Sequence, residues 1–370
     1  MSLHSLQAEE HWPEIHISLQ QTFIKSEKND FVIPDSSEGS FEFAEVDINA
    51  SKYFLDDRIY IGAQVVSLDF GQEGNFKTRL DWAYGRYSVN EKLNISAGKV
   101  RPSSGLHSRD RHIDASRVPL LPNQAYYPEY IRSFGSGITG IQLGGYFDLS
   151  RYGGLTYDII YGSMDISEEN YAVTNLRQQL SSPTSMFDVN SLVIDLRWSS
   201  PNSTYLLGST LSHVRGDISY ANPLIDDPKA FDNTTNVLGY YCKYQKRKHT
   251  LTIEYSFAPQ KWASSEQLRS FGFPDYLVNE ARESAYIQHE YQWNETWAHY
   301  MSYSIARKDK DDYHSQEKQR KGFALGIRHD VNDFWIIKLE QHFFRGTYEV
   351  IGDGNDNSWS MFLARTSFSW

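Results

Sequence analysis

At 370 residues the chain could form two ordinary domains or one large β-barrel, and its net charge of −11 argues against nucleic acid as a partner. Aromatics make up 15% of it, yet its mean hydropathy is negative, a pairing that suits one face in lipid and another in water. No run of about 18 apolar residues is present, which excludes a transmembrane helix; the single cysteine, Cys242, excludes an intrachain disulfide or a cysteine-based metal site.

Alternation with period 2 marks strands whose two faces meet different surroundings. In chain order the alternating segments are 12–24, 40–50, 58–70, 75–89, 93–101, 137–149, 154–164 and 189–199. They continue as 204–215, 234–245, 249–258, 283–293, 297–307, 321–330, 334–345 and 358–370. That is sixteen, an even number, and most are long enough to cross a bilayer at a barrel's tilt. Leu251, Ile253, Leu325, Ile327, Ile337 and Leu339 fall on the face expected to meet lipid. The connections alternate between short turns and long loops, with 71–74 the one short exception among the long set. Trp198, Trp293, Trp297 and Trp335 all stand beside short turns, where amphipathic rings suit the headgroup level. The expected fold is therefore all-β: one transmembrane, antiparallel, up-and-down barrel spanning 1–370.

The last residues, SWSMFLARTSFSW, alternate to a terminal Trp370 with Phe368 two positions before it. This terminus resembles the closing strand of bacterial outer-membrane β-barrels. The start, MSLHSLQAEE, lacks the basic and apolar regions of a signal peptide, so the chain reads as a mature form.

The third long connection, 102–136, differs from the rest. With Arg101 it holds Arg109, Arg111, Arg117 and Arg132 against Asp110, Asp114 and Glu129, a local charge of about +2 with His counted neutral. Pro119, Pro122, Pro128, Val118, Leu120, Leu121, Tyr126 and Tyr127 suggest that it packs on something. The run from Trp82-Ala83-Tyr84-Gly85 through Ala97-Gly98-Lys99-Val100-Arg101, Gly105-Leu106, Arg109-Asp110 and Arg117-Val118-Pro119 to Pro122 is similar to porin-like gammaproteobacterial outer-membrane proteins. Val118 departs from the Arg-Pro element of that group. The whole architecture resembles the sixteen-stranded porins. That resemblance implies a third loop folded into the lumen, a homotrimer, and a passive channel for small hydrophilic solutes in outer-membrane lipid and lipopolysaccharide.

On this reading the constriction comprises Lys99, Arg101, Arg109, Asp110, Arg111, Asp114, Arg117, Glu129 and Arg132. The wall opposite the lipid face supplies Arg197, Lys243, Glu254, Glu290, Arg328, Lys338, Glu340 and Arg365, with Glu45, Asp47 and Asp195 adding acidity. In a narrow throat uncompensated arginines favour anions, so an anion-leaning pore is expected. Against this, the arginines could pair with neighbours, Arg109 and Arg111 with Asp110 or Asp114, and serve only to hold the loop. The parity reading Asn94, Ser96, Gly98 and Val100 is too small and polar for lipid and suggests a protein neighbour.

Two rival readings remain open. A substrate-specific channel for a sugar or an organic or inorganic anion would use aromatics such as Tyr126, Tyr127, Tyr130 and Phe134; a soluble β-rich carbohydrate-binding protein would need no membrane. No Ser–His or His–Asp arrangement is recognisable among the twelve histidines, so no enzyme activity, cofactor or metal is expected. Asp353, Asn355 and Asn357 have the spacing of a calcium loop but lack its Gly and distant Glu. Asp309, Asp311 and Asp312 read as solvated.

Overall fold

The computed structural model describes residues 12–70, 73–109, 111–129, 132, 137–166, 173–174, 177, 186–219, 229–312, 314–351, 354 and 356–370. Its strands are β1 (Glu14–Ser26), β2 (Phe43–Phe54), β3 (Ile59–Phe70), β4 (Glu73–Asn90), β5 (Leu93–Val100), β6 (Ile138–Asp148), β7 (Gly154–Ser163) and β8 (Met186–Ser199). The second half adds β9 (Tyr205–Ser219), β10 (Lys229–Lys246), β11 (His249–Ser264), β12 (Tyr276–Gln292), β13 (Trp297–Arg307), β14 (Gln319–Asn332), β15 (Trp335–Arg345) and β16 (Ser358–Ser369). Each pairs antiparallel with its neighbours in sequence, and β1 pairs with β16 to close the barrel. Closure leaves no unpaired edge, which a sheet surrounded by lipid requires.

The two faces separate by parity along most of the strand length, interrupted at register shifts such as that between Leu80 and Trp82. On β14 and β15, Phe323, Leu325, Leu339 and Phe343 are exposed, while Ala324, Lys338, Glu340 and His342 are buried. Exposed apolar side chains beside buried charged ones reverse a soluble fold; they mark an outer face for lipid and an inner face covered by protein. Leu251, Ile253, Ile327 and Ile337 share the outward parity with Leu325 and Leu339. Trp198, Trp297 and Trp335 also stand on that face, beside the short turns.

Three expectations need correction. The alternating segments underestimate β10, β11 and β12, which run to 18, 16 and 17 residues. The alternating segment 249–258 stops short of Pro259; β11 continues past it, paired with Ala281 on β12, while the β10 ladder skips Ala258 and Pro259. A proline lacks the N–H that the second ladder needs, so one neighbour pairs there and the other does not. Lys99, expected on the lumen side, lies on the outward parity with Ile95, opposite Ala83 and Thr139, and donates to the Leu80 carbonyl. Arg101 lies past the end of β5, so the two-residue step from Lys99 no longer fixes a shared face. Consequently Asn94, Ser96, Gly98 and Val100 face inward, Ser96 and Val100 both buried, and they offer nothing to a neighbouring protein.

Candidate functional site

The chain leaves β5 at Arg101, and residues 101–132 bond to inward-facing side chains of β1, β2, β4, β7, β9, β11, β12, β14, β15 and β16. Three knots hold the segment. The first centres on Asp114, whose carboxylate lies 3.0 Å from Lys338 Nζ and 3.2 Å from Arg365 Nη1, with Ser367 donating to it at 2.8 Å. Lys338 also donates to the carbonyls of Asp114, Arg117 and Pro119, and Arg328 donates to those of Ala115 and Arg117. Burial alone would raise the Asp114 carboxyl; Lys338, Arg365 and Arg117 outweigh it and hold the group well below the ordinary carboxylate range.

The second knot joins the segment to β2 and β4. His112 Nδ1 and Arg132 Nη2 each lie 2.5 Å from Glu45 Oε1, and the guanidinium also lies against the imidazole. Arg101 donates to Asp81 at 2.5 and 3.0 Å, and Gln20 donates to the His112 carbonyl. Asp81 is the extra residue at a register shift between β3 and β4, which turns it inward beside Trp82. Arg111 pairs with Glu129 at 3.0 Å, and Arg132 lies 3.6 Å from the same carboxylate. Burial would raise the Glu129 carboxyl, but Arg111 and Arg132 lower it. Glu45, Asp47 and His112 bring ligand-type atoms within 4.8 Å of one another. The Arg132 guanidinium already occupies that position, so the set fits an ion pair better than a metal ion.

The third knot is the tip. The Leu106 N–H and the Tyr127 hydroxyl donate to Glu254 at 2.9 and 2.8 Å, and Tyr286 donates to the same carboxylate. Gly105 N–H donates to Thr210 Oγ1. At Gly105, with φ +86°, a Cβ would stand 2.7 Å from Glu254 Oε1, so the tip reaches the wall only without a side chain. Between the knots, Leu120 and Leu121 enter an apolar cluster with Ile24, Phe43, Leu68 and Met361 of the inner wall and Ile33 of the 27–42 connection. Each leucine buried there contributes about 1.5–3 kcal/mol.

The residues singled out in the sequence therefore separate. Arg101, Arg111, Asp114, Arg117, Glu129, Arg132, Glu254, Arg328, Lys338, Glu340 and Arg365 belong to the docking contacts, Glu340 by accepting from Leu120 N–H and Arg117 by lying 3.5 Å from Asp114. Arg197, Lys243 and Glu290 stand on the inward face away from them, Arg197 3.6 Å from Asp195. Arg109 pairs with Asp158 of β7 at 2.8 Å and keeps 43% side-chain exposure. Asp110, Tyr130, Phe134, Asp353 and Asn355 lie outside the described residues. Arg109 and Arg111 thus find Asp158 and Glu129 rather than Asp114, and Tyr127, buried against Glu254, offers no open ring to a solute. Asp81, His112, Asp158 and Tyr286 carry contacts that sequence reasoning missed; of these only Asp81 left a trace, as a break in alternation between Leu80 and Trp82.

No family model matches the chain, and no curated protein matches it in sequence. Solved structures do. The trimer form of OmpT, an outer-membrane protein of Vibrio cholerae, aligns with a TM-score of 0.59 at 10% identity, over 97% of this chain and 99% of that one. OmpF of Salmonella typhi in complex with daunomycin gives 0.60 at 10% identity, covering 97% of each chain. The outer-membrane channel DcaP of Acinetobacter baumannii gives 0.56 at 10%, over 96% of this chain and 97% of that one. The fold is that of the sixteen-stranded outer-membrane porins.

Proposed function

We propose that the protein is a passive diffusion channel of the bacterial outer membrane, without chemistry or cofactor, in which residues 101–132 form the constriction. The observation that carries this reading is the segment's attachment to inward-facing side chains at both the β15–β16 and β9–β12 sides of the wall. A chain held that way lies across the path of a solute. Small hydrophilic solutes fit a passage whose free wall carries Arg197, Lys243 and Glu290, and lipid and lipopolysaccharide fit the outer face.

The anion preference expected from five loop arginines is narrowed here to a weak lean. Arg101, Arg111, Arg117 and Arg132 each have a carboxylate within 3.6 Å and are held among buried partners. Asp81, Glu129 and Glu45 offset Arg101, Arg111 and Arg132, while Arg117 shares the Asp114 carboxylate with Lys338 and Arg365. Arg109 keeps solvent contact, and its carboxylate partner among the described residues, Asp158, is shared with Gln142. Planar-bilayer recording under a salt gradient tests the channel and its selectivity together; a purified, assembled barrel that never conducts would refute the reading.

Assembly as a trimer has a different support from the one the sequence suggested. Outward positions Ala50, Ala63 and Ala83 face one another across β2, β3 and β4, and Gly85 faces Ala97 on β5. This is a shallow outer surface, suited to close approach by another copy. A species with the mass of one 42.8 kDa chain after gentle solubilisation would contradict it.

A further inference from the structure

Four histidines stand on the outward face at the short-turn end of adjacent strands: His249 on β11, His289 on β12, His299 on β13 and His329 on β14. Leu251 faces His289 and His249 faces Tyr291, which in turn faces His299. Trp297 of β13 likewise faces His329, so the histidines form a zigzag row across four strands, at diagonal positions that long side chains span. His249 Nδ1 and His289 Nε2 lie 3.1 Å apart. His299 Nδ1 is buried without a hydrogen-bond partner. Tyr291 lies against His249, Trp293 against His299, and Trp297 stacks on His329.

We propose that His249 and His289 chelate a divalent transition-metal ion, Cu²⁺ or Zn²⁺, on the outside of the barrel. With metal–nitrogen bonds of about 2.0–2.1 Å, two nitrogens 3.1 Å apart subtend about 95–100° at the ion. That angle lies between the right angle of a tetragonal copper site and the tetrahedral angle of zinc. The pair is already at chelating distance, so binding needs no strand movement. Imidazole suits these ions, whereas Mg²⁺ and Ca²⁺ prefer oxygen ligands. The remaining coordination positions are open to water or to phosphate oxygens of lipid headgroups. His299 is placed to supply a third nitrogen by a side-chain rotation.

The site is independent of the channel reading, since it lies on the other face of the wall from the loop. The test is calorimetry with CuCl₂ and ZnCl₂ on the detergent-purified barrel, prepared without a histidine tag, together with electron paramagnetic resonance of the Cu²⁺ form. One ion per chain is expected, with a two-imidazole signature that falls to one imidazole in His289→Ala and in His249→Ala. Calorimetric binding by the parent should be lost in the double variant. His112→Ala, in the buried Glu45–Asp47–His112 group, should leave it unchanged. Loss of binding in His112→Ala, or unchanged binding in the His249/His289 double variant, would overturn the proposal, as would no binding to the parent. The His249 and His289 variants sit on the outward face away from the docking contacts, His112→Ala sits within them, and assembly of each is checked by its heat-dependent gel mobility.

Discussion

Two arginine contacts within one loop behave oppositely. At the β15–β16 wall, Asp114 meets Lys338 and Arg365, all nearly excluded from solvent at 3%, 1% and 4% exposure. At the β7 wall, Arg109 meets Asp158 with almost half its side chain in solvent. The first arrangement removes charges from water and binds them to one another, so it fixes geometry and keeps the groups themselves out of reach of a passing ion. The second stays hydrated and screened, contributes little to stability, and remains available to a solute. A count of basic residues in the loop cannot distinguish these roles; solvent access does.

The largest effect should come from breaking the buried knot. Asp114→Ala leaves Lys338 and Arg365 buried without their carboxylate and should cost about 3–5 kcal/mol of loop docking. A spin label at Ser116→Cys in a Cys242→Ser background should turn mobile, and unitary current should become noisy. Next in size, Leu339→Arg places a charge on the outer face near the middle of β15 and should cost about 2–4 kcal/mol of barrel stability in liposomes. Assembly at parental yield would mean that the assigned faces are wrong. Tyr127→Phe removes one of the donors to Glu254 and should cost about 1.5–3 kcal/mol, read as earlier release of the tip in urea.

Acid should release the buried knot only below the ordinary carboxylate range. Because the Asp114 carboxyl is held below its ordinary value, its contribution is complete above the unfolded carboxylate pKa of about 3.9 and is lost only as pH falls through the lower folded value. The Ser116 label should therefore keep its mobility from pH 8 down to about 5 and loosen only in stronger acid. Loosening near neutrality would point to a different titrating group.

Much of the barrel was legible because period 2 is a local property. Leu339 and Lys338 announce their faces from adjacent positions, and the contrast between lipid and lumen amplifies the signal. The segment 249–258 stopped short at Pro259, whose missing N–H disturbs one ladder while leaving the other intact. The charged residues of the 102–136 connection were legible as a cluster but not as pairs. Asp114 finds Arg365 across 251 positions, and Arg109 finds Asp158 on a strand two beyond the loop, separations that no local pattern encodes. Lys99 failed for a geometric reason: β5 ends at Val100, so parity cannot be carried from Lys99 to Arg101.

The most direct test of a constriction built from buried ion pairs with one open arginine is the zero-current potential across a planar bilayer under a KCl gradient, parent against Arg109→Ala. The parent should conduct with a small offset on the anion side, and Arg109→Ala should conduct equally well with that offset reduced or reversed. A strongly anion-selective parent whose potential is untouched by Arg109→Ala would contradict the account, because the selectivity would then come from arginines that it holds to be buried in ion pairs.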